Sequence, residues 1–244
     1  AGEGAAAATY TVETVATDDT PGEVVYTQPV NYKKVKKATV PATVEIDGKT
    51  YKVVAIAKKA FFKATKLTTV AVGKNVKSIG ASAFSKATKV TKVTGCAGVQ
   101  TIGSSAFAGL AKLTTVAKLK KAKTIGANAF KGDKKLAKLA LGANVTKIGK
   151  SAFLNCASLK AFTVSKKVSS IGASAFKGCK KLKKLTVKST KLTTKKSVKN
   201  FLKGSSVKTV KLSGLGAAKS KVKKAISSFA GKKGVNIKIG RAHV

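Results

Sequence analysis

The chain has 244 residues, with 50 Lys and Arg against 8 Asp and Glu, one His, three Cys and a net charge of +42 at pH 7. No run of about 18 apolar residues occurs, which excludes a transmembrane helix. Three cysteines in a chain of this length exclude a disulfide framework, and a lone histidine leaves no material for Ser-His-Asp or Cys-His chemistry.

The opening AGEGAAAATY has no basic start and no apolar stretch long enough for a signal peptide. Residues 1–8 read as disordered. The chain neither begins with Met nor contains one, as expected of a processed or interior piece of a larger product. Tyr10–Val15 and Glu23–Val30 alternate as strands, with Asp18-Asp19-Thr20-Pro21-Gly22 as the turn between them. Pro41–Val54 reads as a hairpin around Asp47-Gly48, a type I′ signal. Charge divides the chain here. Residues 1–47 hold four lysines and seven acids, a balance of −3, whereas residues 48–244 hold 46 bases and one acid, Asp133. All four tyrosines, the last being Tyr51, lie on the acidic side of the chain or at its border.

From Ile56 onward the sequence repeats every 23 residues. Ile79-Gly80 recurs as Ile102-Gly103, Ile125-Gly126, Ile148-Gly149 and Ile171-Gly172, preceded by Ile56-Ala57. Each pair is followed by Ala-Phe, ending in Phe61, Phe84, Phe107, Phe130, Phe153 and Phe176. A second ladder runs Leu67-x-x-Val70, Val90-x-x-Val93, Leu113-x-x-Val116, Leu136-x-x-Leu139, Leu159-x-x-Phe162 and Leu182-x-x-Leu185. In most units it continues to another apolar residue two positions on (Val72, Leu141, Val164, Val187), the alternation of a strand with one face buried. A turn such as Gly73-Lys74-Asn75 leads to a further apolar position (Val76, Val99, Ala122, Val145, Val168) before the Ile-Gly step. The recurring Gly predicts a sharp corner that tolerates no Cβ. The Ala-Phe stretch is too short for a full helix and predicts one helical or 3₁₀ turn. Such short units cannot bury their own apolar face, so neighbours must stack, with the phenylalanines as an internal column. Each buried ring contributes roughly 1.5–3 kcal/mol.

These motifs carry a resemblance. The order L-x-x-V-x-V, turn, V-x-x-I-G-x-x-A-F, then C-x-x-L is similar to the BspA-like leucine-rich repeats of bacterial surface proteins. The cysteine slot holds Ala64, Ala87, Leu110, Asp133, Cys156 and Cys179. The likeness spans Val40 to Val187, and more weakly the strand near Val207–Leu212. It implies a repeat solenoid, β-rich α/β: a right-handed leucine-rich-repeat array of about six 23-residue coils. It also implies a secreted or cell-surface bacterial protein that binds other molecules and has no cofactor. The expected organisation is a β-rich N-terminal cap (1–50), the solenoid (51–190), a degenerate last repeat and C-terminal cap with a strand and a helix (191–238), and a non-native tail (239–244). The helix is Lys219–Ala230, with Val222, Ala225, Ile226 and Phe229 on one face and Gly231 as its stop. It closes the last coil or, alternatively, lies on a membrane surface. The tail IGRAHV breaks the local pattern and resembles translated adapter sequence, which removes Arg241 and His243 from functional consideration.

Lysines are placed periodically. Just before each strand stand Lys66, Lys89, Lys112, Lys135, Ser158 and Lys181, and outward strand positions include Lys92, Lys138 and Lys184. Stacked coils align the first group at strand spacing, either as a solvated edge or as an anion-binding stripe. The remaining outward positions are Thr or Ala, with no aromatic or Arg. Any partner on this face is therefore a diffuse polyanion rather than a ligand held by stacking or forked hydrogen bonds.

Catalytic and metal readings fail on composition. One acid in the solenoid cannot form a carboxylate pair, and no cluster has ligand spacing. Gly149-Lys150-Ser151 lacks the first phosphate-loop glycine, whose place Asn144 holds. Cys156 and Cys179 occupy one slot in consecutive coils, either as stacked core thiols or as a bridge, while Cys96 has no evident partner. The reading is a non-enzymatic adhesion or binding protein. Its partners are a host or microbial surface protein or an anionic glycan. An accessory domain of a secreted enzyme and a nucleic-acid-binding protein are the rivals.

Overall fold

A computed structural model describes residues 7–240. Expectations for residues 1–6 and for the tail beyond Gly240, including Arg241 and His243, lie outside the described residues. The chain opens with β1 (Ala8–Thr14), β2 (Gly22–Pro29), β3 (Lys37–Val40), β4 (Thr43–Ile46) and β5 (Lys49–Ile56). β1 and β2 pair antiparallel, as do β4 and β5. Asp47 and Gly48 both have left-handed φ, 49° and 72°, as a type I′ turn requires. The strand β3 has no counterpart in the sequence reading. It pairs parallel with the first strand of the array, Val40 opposite Val72, and so belongs to an additional coil. The hairpin inserted after it lengthens the step to 32 residues and hides it from a search at period 23.

The array alternates longer and shorter strands: β6 (Thr69–Val72), β7 (Ser78–Ile79), β8 (Lys92–Thr94), β9 (Thr101–Ile102), β10 (Thr115–Val116), β11 (Thr124–Ile125), β12 (Lys147–Ile148), β13 (Ala161–Val164), β14 (Ser170–Ile171) and β15 (Lys184–Val187). It ends with α1 (Lys195–Val198), β16 (Thr209–Leu212), α2 (Lys219–Phe229) and β17 (Asn236–Ile239). The Ile-Gly strands form one continuous sheet with the N-terminal strands, in the order β1-β2-β5-β7-β9-β11-β12-β14 with β4 beside β5. The Leu-x-x-Val strands form two four-stranded sheets, β10-β8-β6-β3 and β13-β15-β16-β17. Their separation has a local cause. The second inward position of the strand is Gly95 in one coil and Lys118 in the next, where other coils have Val or Leu. Lysine is not buried there. Lys118 is exposed, Leu119 turns inward in its place, and the bridge Leu119–Leu141 is one residue out of register.

The corner between coils differs from the expected helical or 3₁₀ turn. Residues four apart repeatedly adopt the left-handed conformation, as at Ser82 (φ 55°) and Lys86 (φ 63°). This conformation interrupts any helix. Backbone donors then alternate in direction. The N–H groups of Ser82, Phe84 and Lys86 reach carbonyls of the next coil, while those of Ala83, Ser85 and Ala87 close turns within their own. The Ile-Gly glycine is needed for close approach rather than for its φ, which is not left-handed. A Cβ at Gly103 would lie 2.6 Å from the Ala81 nitrogen, and one at Gly80 would lie 2.5 Å from that of Lys58.

The core is continuous, and all six repeat phenylalanines are fully buried within it. Their rings stack with centroids 5.0–5.6 Å apart and planes within 6–11° of parallel. The step follows the interstrand spacing, and parallel rings at this distance are offset, a favoured geometry. The column also exceeds the periodic set. Tyr26 stacks on Phe61 at 5.6 Å, Phe201 meets Phe176 edge-on at 6.3 Å, and Phe162 wedges between Phe153 and Phe176. At the far end, α2 lays Val222, Ala225 and Ile226 against the core, whereas Phe229, assigned to that face from the sequence, is 36% exposed. The Phe229 and Ala230 carbonyls accept the Asn200 and Leu202 N–H groups, which the last coil would otherwise leave open.

Phe107→Ala should cost about 3–5 kcal/mol, because both faces of the ring lose a stacked neighbour. Urea denaturation measures this, with half-buried Phe62→Ala, outside the column, as the mild comparison.

Candidate basic binding face

Strand alternation places Val70, Val93, Phe162 and Leu185 in the core and leaves the intervening side chains on an open face. Parallel pairing aligns those outward residues coil by coil. Lys37 stands opposite Thr69, Thr69 opposite Lys92, and Lys92 opposite Thr115. In the second sheet, Ala161 stands opposite Lys184 and Lys184 opposite Thr209. Lys138 falls midway between Thr115 and Ala161 in sequence, in the irregular coil between the sheets, and is exposed. The first outward row is therefore Lys37, Thr69, Lys92 and Thr115 in one sheet and Ala161, Lys184 and Thr209 in the other. The second outward row is Thr39, Ala71 and Thr94 in one sheet and Thr163, Thr186 and Lys211 in the other.

Along the rim, Lys66, Lys89, Lys112, Lys135 and Lys181 are all exposed, as are Lys92, Lys138 and Lys184 on the face. Among the described residues the ion pairs are Lys49–Asp18 and Lys77–Glu23, both toward the N-terminal end, so none of these eight lysines is paired. Two ammonium groups one strand spacing apart repel by about 0.9 kcal/mol in water before screening by salt. That is small for each pair, but it recurs along the rim.

Two basic features were not visible from the sequence. Lys37 joins the face only because β3 forms a coil outside the regular period. Near the C-terminal end, Lys195, Lys196, Lys199, Asn200, Ser228 and Phe229 line an open groove of about 600 Å³. The half-buried Phe62 ring at a corner has the Lys59 and Lys63 ammonium groups 5.8 and 5.4 Å from its centre.

The remaining reactive groups are inside. Cys96, Cys156 and Cys179 are buried free thiols, so of the two readings for the stacked pair the structure has the unbridged one. The Cys156 and Cys179 thiols donate to the Phe130 and Phe153 carbonyls, each at 3.0 Å. Burial pushes Cys96 and Cys179 up to about 12 and raises Cys156 well above the usual thiol range, which leaves little thiolate at neutral pH. Among the described residues no group of three or more His, Cys, Asp or Glu could hold a metal ion.

Asp133 shares the slot of these cysteines and is fully buried. Its Oδ1 accepts the Leu110 N–H at 2.9 Å, while Oδ2 has no hydrogen-bond partner. Burial raises its pKa well above the ordinary carboxylate value, and backbone hydrogen bonds offset this only in part. A carboxyl with a raised folded pKa stabilises the fold fully below its unfolded value of about 3.9, and loses that contribution as pH climbs through the folded pKa. Thermal melts of the wild-type chain should therefore fall as pH rises above the carboxylate range. Asp133→Asn keeps the acceptor for Leu110, should flatten that dependence and should melt higher at alkaline pH.

Comparison with known proteins agrees with this architecture. The BspA type leucine rich repeat region model matches residues 54–183 and 123–220, in six copies. Among solved structures, the leucine rich repeat protein of T. pallidum aligns with TM-score 0.64 and 23% identity, covering 89% of this chain and 92% of that one. A leucine-rich repeat protein from Bacteroides ovatus aligns with TM-score 0.48 and 16% identity over 95% and 75% of the two chains. A leucine rich cell surface protein from Faecalibacterium prausnitzii aligns with TM-score 0.42 and 16% identity over 96% and 94%. At 23% identity the likeness to the T. pallidum protein is one of fold. No curated protein sequence matches the chain. With the repeat motif, the stacked coils and the matched model in agreement, the chain belongs to the BspA type leucine rich repeat family.

Proposed function

We propose that this chain is a non-catalytic adhesion or binding module, secreted or held at a bacterial cell surface, that engages polymers through its extended basic face. Membership of a repeat family supports a binding role, since stacked coils present long continuous surfaces. No helix among the described residues is long and apolar enough to cross a membrane. The observation that carries the basic-face reading is the exposed rim of Lys66, Lys89, Lys112, Lys135 and Lys181, which lies within an array whose only acid is the buried Asp133. A polyanion laid along the rim relieves a repulsion that no acid of the array can relieve. Lysine acts as a point charge, so recognition is diffuse and salt-sensitive. The partner is an anionic glycan or an acidic surface protein. Duplex nucleic acid is the weaker reading, because Arg is absent from the array and its strand face lacks base-stacking aromatics.

Heparin should bind with an affinity that falls steeply with added salt. Replacing the five rim lysines by Gln should reduce the steepness of log K against log salt by about 0.7 per lysine, if heparin releases counterions as a single nucleic acid strand does. Duplex DNA at the same salt should bind less tightly than heparin. Unchanged heparin affinity in the five-fold variant would remove the rim from this reading.

A further inference from the structure

We infer that the second strand sheet, β13-β15-β16-β17, holds a compact, densely sulfated segment of a glycan, an inference that rests on the basic-face reading above and gives that face a centre. The two strand sheets differ at equivalent positions. In the first, the residues just before β6, β8 and β10 are Thr68, Thr91 and Thr114. Each donates its hydroxyl to the carbonyl of its counterpart in the preceding coil: Thr68 to Lys36 at 2.8 Å, Thr91 to Thr68 at 3.2 Å and Thr114 to Thr91 at 3.1 Å. In the second, the residues just before β13, β15 and β16 are Lys160, Lys183 and Lys208, all exposed. Lysine there gives up the hydroxyl bond and sets like charges one strand spacing apart, about 4.8 Å at the backbone, inside the Debye length of about 8 Å at physiological salt. The array offers no exposed acid to offset them, since Asp133 is buried. Packing gives no reason for the exchange. The flanking positions are buried and apolar in both sheets, Leu67 and Val70 around Thr68 and Leu182 and Leu185 around Lys183.

Outward strand positions extend the patch. Lys184 follows Lys183, and Lys211 of β16 stands opposite Lys238 of β17. At the corresponding positions of the first sheet the lysines are Lys36, Lys37 and Lys92. The patch therefore has two dimensions. It crosses the sheet over about 14 Å and runs from Lys208 to Lys211 along a strand over about 10 Å. A polymer with one acid on each sugar lays down a line of charge and meets only part of such an area. A segment with several sulfates on each sugar carries charge on both sides of its backbone and covers it. Lysine point charges suit such a ligand, because they accept sulfates at varied angles.

The test titrates the whole chain at one salt concentration with a heparin tetrasaccharide, with an unsulfated hyaluronan tetrasaccharide and with long heparin chains. Two variants carry the same change in charge: Lys160→Thr, Lys183→Thr, Lys208→Thr in the patch, and Lys66→Thr, Lys89→Thr, Lys112→Thr on the rim. The wild type should bind the heparin tetrasaccharide more tightly than the hyaluronan one. The patch variant should lose on the order of tenfold in affinity for the heparin tetrasaccharide, while the rim variant stays close to wild type. The patch variant should also melt at or above the wild-type temperature, because threonine restores the pattern of the first sheet and removes the repulsion. Three results would overturn the inference and leave the basic-face reading standing: equal losses in the two variants, a wild type that binds long heparin but does not favour the sulfated tetrasaccharide, or a patch variant that melts below the wild type. A wild-type chain that binds none of the three probes would overturn both.

Discussion

A coil of 23 residues has a phenyl ring at its centre with two faces, and its own residues cannot cover both. Only the coils on either side can, and that requirement organises the molecule. Rings from Phe61 to Phe176 meet at about the spacing of parallel strands, so ring stacking and backbone pairing reinforce each other. The close backbone approach that this spacing demands excludes a Cβ at Gly80, Gly103 and Gly126, where it would collide with the preceding coil. Left-handed residues at the corners let alternate N–H groups bond across coils instead of closing a helix.

The same constraint decides how the array ends and where it falters. A stack exposes a ring at each end and, because corner N–H groups reach forward to the next coil, a row of corner donors at its C-terminal end. Tyr26 covers the first ring, while Phe201 and the carbonyls at the C-terminal end of α2 close the other side. Within the stack, Lys118 falls where a strand needs an inward apolar side chain. The backbone slips by one residue to bury Leu119, and the strand face divides into two sheets at that coil. The core tolerates a local loss of strand pairing more readily than a buried ammonium group.

Charge follows a complementary logic. The array places its single acid inside, where Asp133 has one unpaired oxygen and a raised pKa, and places its lysines outside, where among the described residues only Lys77 forms an ion pair, with Glu23 of the N-terminal strands. The acid therefore does nothing to neutralise the surface. Lysine stands in nearly every coil along the rim and less regularly on the strand face. Fold and proposed binding role meet at this point, because the spacing that stacks the rings also sets the separation of the rim lysines.

Side-chain identity at a constant interval was enough to reveal the period, the phenylalanine column, the two strand ladders and the rim lysines, since every regular coil solves the same packing problem with the same residues, and the Asp47-Gly48 dipeptide alone marked the hairpin. The sequence could also narrow Cys156 and Cys179 to one slot, though not to a bonding state. What lay outside the interval had to come from the tertiary structure. Tyr26, Phe201, β3 and Lys37 join the array across steps longer than 23 residues, and insertion length conceals such partners from any periodic reading. The turn conformation, the slip at Leu119 and the unpaired oxygen of Asp133 depend on backbone groups of the adjacent coil. Local sequence does not specify which carbonyl a neighbour will present, so only the assembled stack could decide them.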